Sequence, residues 1–335
     1  MPETFSSAAA EELIVVDRNG FVESRHSGSA VVVNAAGETV IVLGDGLTPI
    51  FPRSSLKPFQ AIASMQLGVP LRGAEVALAC ASHVGSGEHM DLAATILHKA
   101  GLSQDDLRCP AAWPRDEATR NELVRSGAPA SKLAFNCSGK HAAFLWACTE
   151  NGWDTASYLD PSHPVQQRVV EVIEEYSGEE LAFLAVDGCG APAPALSLAG
   201  LARAFSKLAL APGNKGADAR AATVATAMLD YPWAVHGHGQ ENTVVMEDLG
   251  VLAKLGAEGV IGMAAPDGTA VAVKMLDGNT RGTTLLGLTL LAQTGAIPVE
   301  ALASVLAKVL PPVMGGSVKV GSVRLAAPVL ALLDR

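Results

Sequence analysis

A few serines and lysines stand in surroundings that could support nucleophilic chemistry. In Arg53-Ser54-Ser55-Leu56-Lys57-Pro58 a serine precedes a lysine by three positions, which on a helix puts them side by side on one face. A serine hydroxyl is a weak nucleophile until a base takes its proton. A lysine amine is such a base only when burial or nearby positive charge lowers its pKa. The plain alternative is a helix start with Ser54 as cap and Lys57 in water, and chance alone gives a chain of this composition roughly 0.7 Ser-x-x-Lys pairs. A second candidate is SHVGSGEH (residues 82–89), which follows the apolar, strand-like residues 76–80 and opens a helix. A strand-to-helix turn presents N–H groups and hydroxyls where an oxyanion can bind; the alternative is a glycine-rich helix start capped by Ser86. The third is Lys274, on a predicted strand that runs into an Asp-Gly turn, with Ala272 and Lys274 on one face.

The elements that would position these groups can be read from periodicity. Residues 13–43 alternate β-branched segments with the turn formers RNG and AAGE, which predicts an antiparallel meander. Beyond Pro52 the period changes, and residues 54–67 form a predicted helix with Leu56, Phe59, Ile62, Ala63 and Leu67 on one face. Further helices are predicted over 87–100, 140–150, 165–176, 194–208 and 218–229. Strands are predicted over 259–264 and 270–276, then helices from Thr283 and Val299. Strands, helices and strands again give an α+β layout in which both chain ends build one sheet. It reads as one unit over residues 1–335, with a sheet lobe from 13–53 plus 240–335 and a largely helical lobe from 54–239.

The chain has 335 residues, 49% apolar and 17% charged, enough to bury a core without disulfides. A net charge of −10 with scattered cations excludes a surface that neutralises phosphates, so no nucleic-acid partner is expected. The apolar stretch 196–212 is interrupted by Arg203 and Lys207, and no run reaches the ~18 residues of a membrane helix. Residues 1–12 lack the basic start and apolar stretch of a secretory leader and read as a frayed tail. The 5 cysteines, without a CxxC pair, suit a reducing cytoplasm.

Ser-x-x-Lys, a serine loop and a strand lysine occur in the order used by class A β-lactamases, although the Lys-Thr-Gly and Ser-Asp-Asn triplets are absent. Longer motifs are more specific: VESRHSG (22–28), PRSSLKPFQA (52–61), SHVGSGEHM (82–90), NCSGKHAAFL (136–145), DGCGAPAPALSLAGLARAFSKLA (187–209), KLGAEGV (254–260) and VKMLDGNTRG (273–282). They resemble the successive blocks of the asparaginase II (Rhizobium-type L-asparaginase) family and cover nearly the whole chain. The resemblance implies a serine β-lactamase-like fold, mainly antiparallel sheet flanked by helices, hydrolysis of the side-chain amide of L-asparagine, and a homodimer. It implies two serine–lysine tandems, Ser54 with Lys57 and Ser86 with Lys274, with Ser54 as the nucleophile. It also implies substrate-binding roles for Arg53 and Asp187, and a zinc ion on Cys137, Lys140 and Cys189 that organises the pocket rather than activating water. One departure stands out: where the family usually has Gly-Arg followed by Asp-Thr, this chain reads Gly239-Gln240-Glu241-Asn242-Thr243. Competing readings are a serine–lysine peptidase or esterase, and an inactive amino-acid-binding homologue.

Overall fold

A computed structural model of the chain describes residues 2–333. The chain opens with β1 (Glu11–Arg18), β2 (Phe21–Val33) and β3 (Thr39–Leu43). The β1–β2 turn is Asn19-Gly20, with φ of 48° and 83°; two positive φ values suit a tight hairpin whose twist matches its strands. A 3-10 turn (Arg53–Leu56) leads into α1 (Lys57–Gln66), then α2 (Ala74–Ala79), α3 (Gly87–Lys99), α4 (Glu117–Ser126), α5 (Ser138–Asn151) and α6 (Pro164–Ser177). A hairpin of β4 (Phe183–Val186) and β5 (Pro192–Ala195) precedes α7 (Leu198–Leu210), α8 (Ala219–Asp230), the short α9 (Pro232–Val235) and α10 (Glu241–Leu249). The chain closes with β6 (Leu252–Leu255), β7 (Val260–Ala264), β8 (Ala270–Met275), α11 (Thr283–Gln293), α12 (Val299–Val309), β9 (Val313–Gly315), β10 (Val318–Leu325) and α13 (Ala327–Leu333).

The main sheet runs β6-β7-β8-β2-β1-β10-β9, with β3 on the far half of β2, and every pairing is antiparallel. The fold class is α+β. Its centre is covered on both faces. A Cβ at Gly262 would meet Phe205 of α7, whereas Gly287 of α11 lies against Met263 and Val271. Successive residues of β7 thus face different helices, which is why β7 and β8 are buried along their whole length instead of alternating. No helix among the described residues is long and apolar enough to cross a membrane.

One expected element differs. Residues 76–80 are not a strand: they belong to α2 and its C-terminal cap. A short apolar run cannot distinguish the two by pattern, and its alanines favour helix. The helix is wedged against α8, α9 and α5. On α5 a Cβ at Gly139 would sit 2.5 Å from the Leu78 carbonyl oxygen. Gly139→Ala should therefore force the two helices apart at a cost of about 1–3 kcal/mol, seen as a melting temperature lowered by several degrees. An unchanged thermal transition would mean that α5 has room to shift.

Candidate active site

Three segments converge beyond the end of α2. Ser82 lies in a short extended loop pinned on both sides: its N–H donates to Val235 O (2.9 Å), that of His83 to Asn136 O (3.0 Å), and that of Val84 to His236 O (2.9 Å). Lys57 opens α1, and its Nζ donates to Ala81 O (2.6 Å) and Ser82 Oγ (2.9 Å). Lys254, on β6, reaches the same hydroxyl, its Nζ lying 2.8 Å from Ser82 Oγ and 2.7 Å from Leu255 O. The approach of β6 to the turn before α1 depends on Gly256, where a Cβ would meet Pro52 O at 2.4 Å. Both lysines are buried. Burial, opposed in part by Cys137, pushes the Lys57 pKa down to about 8. Burial and the neighbouring Lys57 push that of Lys254 well below the usual lysine range. A hydroxyl between a neutral amine and an ammonium has both a proton acceptor and a proton donor at hand.

Ser54 stands at the start of this wall. Its hydroxyl makes no hydrogen bond among the described residues, and Lys57 is turned to Ser82 instead. Arg53, beside it, has a left-handed φ of 54°, a backbone conformation that costs energy for any residue but glycine. Its guanidinium grips Asp187, with Nε 2.7 Å and Nη2 2.5 Å from Oδ1.

Beyond Lys57 lies a buried sulfur pocket. Cys137, at the N-terminus of α5, and Cys189, in the β4–β5 turn, come together with His141, and their ligand atoms lie within 4.8 Å of one another. Lys140 Nζ donates to Cys189 Sγ at 3.1 Å. The Cys137 thiol, by hydrogen bonding, and Lys140, by its charge, hold Cys189 far below the usual thiol range, while burial pushes Cys137 up. Burial opposes the charge on Lys140, but the sulfurs of Cys189 and Cys137 more than offset it, so the amine stays protonated. His141 is uncharged, lowered to about 4 by burial and by Lys140. Its Nδ1 is 2.7 Å from the Tyr158 hydroxyl, and its Nε2 is buried with no partner. Two sulfurs and an orphaned imidazole nitrogen suit zinc, the Tyr158 hydroxyl fixing the ring through Nδ1, whereas Lys140, charged beside Cys189, would have to lose its proton to join them.

The structure does not join Ser86 to Lys274. Ser86 is the N-cap of α3, with Oγ 2.6 Å from His89 Nδ1. Lys274 donates to Glu258 O (2.5 Å) and Met275 O (2.8 Å). It ties the end of β8 to the turn between β6 and β7 through two carbonyls. The residues that do meet, Ser82 and Lys254, stand in the SHVGSGEHM and KLGAEGV motifs, so the signal was present and only the choice of serine and lysine differed.

The family model described as L-asparaginase II matches residues 14–325. The chain belongs to that family. No curated protein matches the sequence. Similar solved structures include Mglu in its glutamate form, 15% identical over 80% of this chain and 61% of that one, with a TM-score of 0.46. This chain thus spans about three fifths of Mglu. A β-lactamase from Mycobacterium bovis is 14% identical over 79% and 94% of the two chains, with a TM-score of 0.45. A Bacillus glutaminase is 13% identical over 80% and 91%, with a TM-score of 0.39.

Ser82→Ala and Lys254→Met should each lower amide turnover roughly 10²–10⁴-fold in protein whose circular dichroism is unchanged. Lys274→Met should instead act mainly on thermal stability. The reverse pattern in steady-state kinetics would return the second tandem to Lys274.

Proposed function

We propose that this chain hydrolyses the side-chain amide of L-asparagine to L-aspartate and ammonia, with Ser82 as the attacking hydroxyl. The observation that carries the reading is the position of Ser82 Oγ within hydrogen-bond reach of two buried lysines. Neutral Lys254 takes the Ser82 proton as Oγ attacks the amide carbon. Lys57, protonated below about pH 8, donates to the departing nitrogen, and ammonia leaves an aspartyl ester. Water, deprotonated by the same amines, then cleaves the ester and restores the hydroxyl. Pulling two neighbouring pKa values apart in this way divides the acid and base roles. Ser54 and the Arg53–Asp187 pair border the bound amide and orient it.

Ammonia release from L-asparagine, L-glutamine, a dipeptide and an ester tests the substrate; faster cleavage of the last two would favour the peptidase or esterase reading. Because Lys57 acts as a cation and loses its proton as pH rises, kcat/KM should decline above about pH 8. A rising limb there would make Lys57 the base.

Cys137, Cys189 and either Lys140 or His141 would hold zinc, and the orphaned His141 Nε2 supports that fit. Bound there, the ion would fix the sulfur pocket and hold a polar group of the substrate. Cys137→Ala and Cys189→Ala should lose stoichiometric zinc by elemental analysis and raise KM more than they lower turnover. Wild-type protein free of zinc after purification without chelators would sink the site. The reading carries a cytoplasmic location, which 5 free buried thiols support, and a homodimer.

A further inference from the structure

Asn242 is buried at the start of α10 and has no part in the chemistry described so far. It stands between the two halves of the site. Its N–H, one of the first-turn donors that a helix leaves unpaired, donates to His236 Nδ1 (3.4 Å). Val235 and His236 are the residues whose carbonyls accept from Ser82 and Val84. On the other side, Asn242 Oδ1 accepts from the N–H of Leu255 (3.3 Å), the residue after Lys254. Asn242 therefore links the serine's loop to the lysine's strand.

The strand β6 is the last of the sheet, and Gly256 N–H pairs inward with Val260 O. By antiparallel alternation both backbone groups of Leu255 point off that edge. Lys254 Nζ fills the carbonyl (2.7 Å) and Asn242 fills the N–H, so amine and amide are neighbours on one residue. Asn242 Nδ2 is buried without an acceptor. An aspartate of the same shape would accept from Leu255 equally well and strand no N–H; what it would add is a negative charge next to the amine. No carboxylate among the described residues holds that place. The ionisable groups that act on Lys254 are Lys57, Cys80 and Cys137, with His236 close by. Of the other elements packed on β6, β7 has no ionisable residue, Arg53 is taken by Asp187, and Arg220 of α8 by Asp218. Asp230, Glu247 and Asp248 are exposed, and Glu241 is turned to Thr284.

We propose that Asn242 is a positioning residue for the lysine base, bracing β6 against the Ser82 loop with a group that carries no charge. The inference rests on the hydrolytic reading for its link to turnover, but the titration of Lys254 can be followed without it, through its Cε resonance in carbon NMR assigned with Lys254→Met. The isosteric Asn242→Asp keeps the bond to Leu255 and adds a carboxylate that favours the ammonium form, so the folded pKa of Lys254 rises. Lys254 must be neutral to take the Ser82 proton. The acid limb of kcat/KM should therefore move up by about one pH unit or more, towards the decline that Lys57 sets above about pH 8, and the Cε titration should move with it. Asn242→Ala removes the brace without adding charge, so kcat should fall about tenfold or more while the limb stays in place. A merely structural role would give the two variants the same pH profile. An unshifted limb and titration in Asn242→Asp whose circular dichroism matches wild type, or wild-type kcat in Asn242→Ala, would overturn the proposal. Should the titration shift while wild-type protein releases no ammonia from L-asparagine, the hydrolytic reading fails and the placement of Asn242 stands.

Discussion

Two buried lysines that share one hydroxyl cannot both keep their charge, because each pays for desolvation and repels the other. Much of the architecture around Ser82 follows from that conflict. Two backbone carbonyls, Ala81 O and Leu255 O, give the amines hydrogen-bond partners that carry no opposing charge. The sulfurs beyond Lys57 and the Asp187 carboxylate favour its ammonium form more than they favour that of Lys254. The amines thus become unequal, and the inequality is what makes them chemically useful.

The same balance links the sulfur pocket to the hydroxyl without a direct contact. Lys140 stays charged beside Cys189, and that charge helps depress Lys57 while the thiols act in the opposite sense. His83 joins the two regions mechanically. Its Nδ1 accepts from Gly85 N–H, so Nε2 donates to Ser138 Oγ at 2.9 Å, and Ser138 passes its own proton to Leu133 O. The loop carrying Ser82 is therefore fixed to the first turn of α5, which carries Cys137 and Lys140.

The opening meander, the helical middle and the returning strands are legible in the sequence because their periods change where the layers change. Residues 76–80 are not, since five apolar residues suit either element and only packing against α5, α8 and α9 decides. The site divides in the same way. Residue types and motifs point to the turn at 82–89, but spacing cannot say which of its serines faces an amine; backbone pairing with Val235 and His236 decides that. Lys254 and Lys274 both lie on strands, and alternation assigns a face without saying what lies across it. Gly256, which lets β6 close on Pro52, is the local reason that Lys254 arrives. Helical i, i+4 spacing puts His141 beside Cys137, but the arrival of Cys189, 52 positions beyond Cys137, is a product of tertiary folding that no spacing rule reaches.

Ser82 and Lys254 are 172 positions apart in the chain. The strand that carries Lys254 is held by β7, which is held by β8, which pairs with β2 near the start. Contacts of such sequence separation form late, because loop closure must precede them. During synthesis the serine emerges long before the amine that would activate it, and the two can meet only once the sheet closes. On the proposed mechanism a nascent or broken chain therefore carries an inert hydroxyl, and reactivity begins only when folding is complete.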